Sequence, residues 1–194
     1  MNALMETSRA GGVFLDRDGV INEEVNLLCR TDQLVLIPGA AEGVRLLNQE
    51  GRKVIVITNQ SVIARGLVSP RGVALIHRAL RHMLAQNGAR LDAIFYCPYH
   101  QDADVPRYRR ICDARKPGIR MLLKAEHRFG LDLRKSYMIG DQSVDIEAGR
   151  RAGCRTILVR TGFGGRDGKF PAAPDFVFDD LLSAARFILK GGAA

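Results

Sequence analysis

The sequence predicts an α/β fold: a Rossmann-like parallel sheet with helices on both faces and no large cap domain. Two observations carry this. Short apolar runs rich in β-branched residues alternate with amphipathic segments along the whole chain, the order that buries parallel strands under crossover helices. Acidic or polar residues stand where the runs end, at Asp16 and Asp18, at Thr58 and Asn59, and at Asp141. In such sheets, sites form at the carboxyl ends of strands.

Taken in order, VFLD (Val13 to Asp16) is a short buried-strand pattern, and PGAAEGVRLLNQEG after it is helical, with Gly51 placed to end it. KVIVITN (Lys53 to Asn59) is apolar throughout, as a strand covered on both faces must be. Ser69 and Pro70 form an N-cap and first helical residue for a helix with Val73, Ile76, Leu80, Met83 and Leu84 on one face, stopped by Gly88. LDAIFYC is a strand, a long loop follows, and a helix runs from about Gly118 to Phe129. SYMIGD is a strand, VDIEAGRRAG a helix, and TILVR and DFVF are strands. LLSAARFILK closes the chain as a helix capped by Asp179 or Asp180.

With 194 residues, one domain covering 1–194 is expected, with residues 1–11 and 191–194 frayed. Hydrophobic residues make up 46% and charged residues 26%, which excludes a disordered chain. No apolar run approaches the ~20 residues needed to cross a bilayer. MNALMETSRAGG lacks the basic patch and apolar stretch of a secretion signal, so a cytoplasmic protein with no membrane partner is expected. The four cysteines are scattered, and reduced thiols fit that compartment. The net charge of +8 suits nucleic acid or small phosphorylated substrates. Because the basic residues are spread along the chain, an Arg-rich surface is the plainer reading and nucleic acid is not the expected partner.

FLDRDGVINEE places Asp16 and Asp18 two residues apart as a buried strand runs out. At period 2 their side chains share a side, while Gly19 lets the chain turn away. Paired carboxylates suit a nucleophile with a general acid. A turn or helix cap competes. A calcium loop with Gly19 at its invariant glycine fails, because Val25 then stands where a bidentate glutamate is needed. The company downstream decides between the readings: VITNQ at the end of the next strand, RKP after the third, and GDQSVD after the fourth.

In that order these stretches resemble the four motifs of the haloacid dehalogenase superfamily, over nearly the whole chain. The resemblance implies that Asp16 attacks phosphorus to form an aspartyl phosphate. Asp18 would protonate the leaving alcohol and then activate water. Thr58 would hydrogen-bond the phosphoryl oxygens, Lys116 would offset their charge, and Asp141 would hold Mg²⁺ with Asp16 and the Asp18 backbone carbonyl. A lysine, a hard cation and a hydroxyl around one carboxylate are what in-line phosphoryl transfer requires. Asp145 reads as a helix cap or as a support to the metal.

FLDRDGVINEE, VITNQSVIARGL, FYCPYH, CDARKPG and IGDQSVDIEAG resemble the D-glycero-D-manno-heptose 1,7-bisphosphate phosphatases in particular, with histidinol phosphate phosphatases as close relatives. That implies a small phosphorylated sugar as substrate. A monomer is expected. A histidinol phosphate phosphatase, or a nucleic-acid 3′-phosphatase of the same fold, is the alternative. With no cap domain, the loops Asn22 to Pro38, Ser61 to Ser69 and Cys97 to Arg115 must close the site. Asn59 and Arg115 are implied substrate contacts beside Lys116, and a second phosphate suits Arg115. The family's zinc loop has C-x-H and C-x-C. Here Cys97, His100 and Cys112 are candidate ligands, but Tyr99 and Ala114 occupy two of the four positions and His100 is one residue late. A zinc-free loop is therefore favoured, held by other packing such as Tyr99 and Tyr108. Arg107, Arg109 and Arg110 read as solvated loop charge. His77, His82 and His127 read as surface or satisfied core histidines, and Cys29 and Cys154 as buried or half-buried thiols.

Overall fold

The computed structural model describes residues 10–171 and 173–192. Its strands are β1 (Val13–Leu15), β2 (Val54–Asn59), β3 (Ala93–Cys97), β4 (Tyr137–Gly140), β5 (Arg155–Val159) and β6 (Phe176–Phe178). Its helices are α1 (Ala40–Gln49), α2 (Pro70–Gln86), α3 (Arg120–Phe129), α4 (Ser143–Ala152) and α5 (Leu181–Leu189). Each element lies where the apolar periodicity places it.

All strand pairs are parallel and the order is β3-β2-β1-β4-β5-β6. The chain builds outward from β1 to β2 and β3, returns to the other side of β1, and builds outward again. The reversal between β1 and β4 opens a crevice beyond the strand ends. Leu15 pairs with Val56 on one side and Ile139 on the other. That register brings Asp16, Thr58 and Asp141 to one end of the sheet.

Alternation along the strands fills two cores. Val13, Leu15, Val54 and Val56 pack with Val44 and Leu47 of α1, Ile76 and Leu80 of α2 and Leu181 and Ile188 of α5. Phe14, Ile55, Ile57 and Met138 face the other way, onto Met121, Leu122 and Ala125 of α3 and Ala148 of α4. Each such side chain contributes about 1.5–3 kcal/mol by leaving water, so the strand ends stand on a close-packed base. The helix starts follow the capping chemistry: Ser69 Oγ accepts the Gly72 N–H at 3.1 Å, and Asp180 Oδ1 accepts the Ser183 N–H at 2.7 Å.

The expected fraying needs correction at its inner edges. Residues 1–9 and 193–194 lie outside the described residues, but Ala10 O accepts the Asp132 N–H at 3.1 Å, and Gly11 and Gly192 are buried. No helix among the described residues is long and apolar enough to cross a membrane.

Candidate active site

Asp16 follows directly from β1, and its own N–H donates to Ile139 O of β4 at 2.9 Å. Its side chain is thereby fixed over the crevice. Asp16 Oδ1 accepts the Arg17 N–H at 2.7 Å and lies 2.9 Å from Lys116 Nζ. Asp16 Oδ2 has no such partner among the described residues. Lys116 Nζ also lies 2.6 Å from Asp145 Oδ1, and both are charge contacts whose angles fall outside hydrogen-bond geometry. Lys116 is almost fully buried. Burial alone would lower its pKa, but Asp145 and Asp16 outweigh that, so the ammonium is held above its ordinary value.

Asp16, Asp141 and Asp145 each turn one carboxylate oxygen into a cluster within 4.8 Å of one another, all three buried. Asp141 Oδ2 accepts the Phe163 N–H at 2.8 Å, while its Oδ1 is buried with no hydrogen-bond partner among the described residues. Asp145 Oδ2 accepts the Gln142 N–H at 3.1 Å and so closes the capping box of α4, the cap reading of the sequence, while its other oxygen faces the cluster. Burial raises the pKa of both Asp141 and Asp145; next to it, Asp145 and Asp16 add to the effect on Asp141, while Lys116 opposes it on Asp145. Three buried carboxylates against one ammonium, with one oxygen orphaned, form the donor set that a hard divalent cation takes.

Asp18 is turned away from this cluster. Arg17 Nε and Nη2 donate to its two oxygens at 2.7–3.0 Å, Asn22 Nδ2 donates to Oδ1 at 2.8 Å, and Gln60 Nε2 donates to Oδ2 at 3.1 Å. Gln60 also donates to Thr58 Oγ1 at 2.9 Å, tying the ends of β1 and β2 together. Neither Arg17 nor Gln60 was legible as a site residue. The only sequence signal is adjacency to the motif residues.

The crevice is a cavity of about 630 Å³, with Asp16, Thr58, Asn59 and Lys116 on its floor. All three expected loops line it, contributing among others Leu27, Arg65 and Ile111. A fourth segment, after β5, was missed. Thr161 Oγ1 donates to Gly19 O at 2.6 Å, Gly165 N–H donates to Asp141 O at 2.7 Å, and Phe163, Lys169 and Phe170 form one wall. Asp167 anchors this segment by accepting both the N–H and the hydroxyl of Ser143 at 2.7 Å. A Cβ on Gly162 would collide with Asp141 Oδ2 and the Gly19 backbone, so only glycine permits this approach. The TGFGG run is the signal that could have revealed it.

The loop between β3 and α3 departs from a metal clip. His100 Nδ1 accepts the Asp102 N–H at 3.1 Å, and burial pushes the Cys97 thiol up to about 11. Among the described residues, Cys97, His100 and Cys112 do not converge as a ligand group. Cys97 packs instead with Tyr99, Cys112 and Ala114 in the apolar cluster under α3. Tyr99 and Tyr108 lie with ring centroids 6.0 Å apart, and the Arg110 guanidinium is 3.6 Å from the Tyr99 centroid. Arg110 is exposed, as solvated loop charge should be, and it lines the cavity while lying over the Tyr99 ring. Arg65, Arg110, Arg115 and Lys169 share the mouth, and none makes an ion pair among the described residues.

Comparison with known proteins agrees with this geometry. The HAD-hydrolase-like family model matches residues 113–184. The D-glycero-D-manno-heptose-1,7-bisphosphate 7-phosphatase of Chlorobaculum tepidum is 37% identical, over 96% of this chain and 97% of its own. The enzyme of the same name from Thermosynechococcus vestitus is 42% identical, over 91% of this chain and 94% of its own. The crystal structure of D,D-heptose 1,7-bisphosphate phosphatase from B. bronchiseptica, complexed with magnesium and phosphate, superposes with a TM-score of 0.81 at 32% identity, covering 93% of this chain and 99% of that one. With this identity along nearly its full length, the chain belongs to the D-glycero-D-manno-heptose-1,7-bisphosphate 7-phosphatase family of haloacid dehalogenase-like hydrolases.

Proposed function

We propose that the chain is a Mg²⁺-dependent phosphomonoesterase that removes the 7-phosphate of D-glycero-D-manno-heptose 1,7-bisphosphate through an aspartyl phosphate on Asp16. The observation that carries this is the pairing of Asp16 with Lys116 at 2.9 Å in a three-carboxylate cluster, at the floor of a cavity whose mouth holds four cations without ion pairs among the described residues. Floor and mouth offer places for two phosphates on one small molecule.

In this reading Asp16 attacks phosphorus through Oδ2 while Lys116 and the Arg17 N–H hold Oδ1. The bond from phosphorus to the C7 oxygen breaks, and that oxygen takes the proton of the Asp18 carboxyl. Asp18, now a carboxylate, accepts a proton from water as the water attacks phosphorus, and inorganic phosphate and free Asp16 result. Thr58 and Lys116 hydrogen-bond the equatorial oxygens. Asp16, Asp141 and the Asp18 carbonyl would hold Mg²⁺, with Asp145 beside them, and the bound cation would neutralise phosphoryl charge. Arg115 and the other mouth cations would hold the second phosphate, while Asn59 stands beside Lys116 on the floor. Zinc does not fit the residues of the Cys97–Arg115 loop. Two sulfur donors and a misregistered histidine fall short of a closed tetrahedral set.

Phosphate release with Mg²⁺ from both anomers of heptose 1,7-bisphosphate, histidinol phosphate and a 3′-phosphorylated oligonucleotide tests this. A kcat/KM preference for one heptose anomer is expected. A flat or histidinol-led profile would overturn the substrate assignment while leaving the chemistry.

A further inference from the structure

We propose that His77 of α2 is a positioning residue for Asp18, acting through Arg17. Arg17 is only 1% exposed and is the largest fully buried side chain among the described residues. A buried guanidinium must place its donors, and this one spends Nε and Nη2 on Asp18. Its Nη1 lies 3.3 Å from His77 Nε2. A guanidinium only donates, so Nε2 accepts, and the imidazole is neutral with its proton on Nδ1.

The choice of acceptor matters. A carboxylate in place of His77 would compete with Asp18 for the Arg17 charge, whereas a neutral acceptor fixes the plane of the guanidinium and leaves that charge to Asp18. Tyr96 holds the imidazole in turn, edge to face at 5.5 Å between centroids. The chain Tyr96–His77–Arg17–Asp18 thus links β3 and α2 to the turn after β1. His77 lies 60 residues from Arg17 in sequence, touches neither cavity floor nor metal cluster among the described residues, and is set apart from the apolar packing positions of α2 by its polar contact with Arg17.

This inference rests on the reading of Asp18 as the acid that protonates the leaving group. Its signature is dependence on the leaving group. An alkyl phosphate needs that proton and 4-nitrophenyl phosphate, whose anion leaves unaided, does not. His77→Leu removes the acceptor, and His77→Gln restores one through its amide oxygen. Measured as kcat/KM with saturating Mg²⁺, His77→Leu is expected to fall about tenfold or more on the heptose bisphosphate and less than about threefold on 4-nitrophenyl phosphate, with His77→Gln close to wild type on both. His77→Met, flexible enough to repack, replaces the leucine variant if that one does not fold. Equal losses on the two esters, or no loss in a folded variant, would overturn the proposal. If wild-type protein hydrolyses 4-nitrophenyl phosphate but not the bisphosphate, the substrate assignment fails, and the comparison is repeated on the best alkyl phosphate. Wild-type protein inert towards both esters would overturn the catalytic reading and this inference with it.

Discussion

The Asn59 carboxamide grips the backbone of Lys116 from both sides: Oδ1 accepts the Lys116 N–H at 3.0 Å and Nδ2 donates to the Lys116 carbonyl at 3.2 Å. The end of β2 thereby sets the height of a lysine 57 residues further along the chain. Only then does its ammonium reach Asp16 and Asp145. Asn59→Ala leaves both backbone groups without these partners and frees the loop to shift by fractions of an ångström. We expect kcat to fall about 10- to 100-fold with Asp16 chemically intact. Steady-state kinetics with Mg²⁺ is the check, and an unchanged kcat would show that the loop holds Lys116 without Asn59.

The same loop supplies a test of its metal independence. If the Tyr99–Tyr108–Arg110 stack does the holding, purified protein contains well under one zinc per chain by elemental analysis, and a zinc-selective chelator leaves its melting temperature unchanged. Tyr99→Ala lowers that temperature, because it removes a half-buried ring and the surface on which Arg110 rests. Stoichiometric zinc lost together with stability would refute this account.

The carboxylate cluster makes stability depend on pH in an unusual direction. Asp141 and Asp145 have folded pKa values raised above their unfolded ones, so the folded state binds more protons and its advantage is lost as pH rises towards neutrality and beyond. Without divalent cations, melting temperature is expected to fall between about pH 6 and about pH 8. Saturating Mg²⁺ replaces the missing protons, so its stabilisation is larger at the higher pH. Calorimetry at both pH values, with Mg²⁺ and with EDTA, decides this. Equal Mg²⁺ stabilisation at the two would contradict it.

Gly162 and Gly168 separate crowding from backbone strain. Both have left-handed φ values, +58° and +61°, but a Cβ at 162 collides with Asp141 and one at 168 meets nothing within 4 Å. Gly162→Ala is expected to weaken Mg²⁺ affinity about 10- to 100-fold, and Gly168→Ala to leave it intact. Titration calorimetry on the two variants gives the comparison.

The six strands and five α-helices were readable because their signals are local: an unbroken apolar run such as VIVITN, or the 3.6-residue spacing of Val73, Ile76 and Leu80. Asp16, Thr58, Lys116 and Asp141 were readable because each follows directly from a strand or sits in a short motif. Strand order was not, since pairing β1 with β4 joins residues more than a hundred positions apart. Contacts of Gln60 with Asp18, of His77 with Arg17 and of Asp167 with Ser143 escaped for the same reason. A cap or a cavity wall built across the fold leaves no periodicity in the sequence. Arg110 is solvated as the sequence suggests, but its seat on the Tyr99 ring, eleven residues away, leaves no trace in a polar loop.

The position of β1 also governs assembly during synthesis. Among the described residues it precedes every other strand in the chain, yet it is a central strand of the sheet, flanked by β2 and β4. Its β2 edge can pair once residue 59 has emerged, but its other edge stays open until residue 140. Until β4 is made, the β4-facing edge of Val13–Leu15 has no partner from its own sheet, and an unpaired strand edge is a template for a neighbouring nascent chain. Only the arrival of β4 closes it, in the same step that carries Asp141 to Asp16. The arrival of β4 thus ends the exposure and completes the carboxylate cluster together.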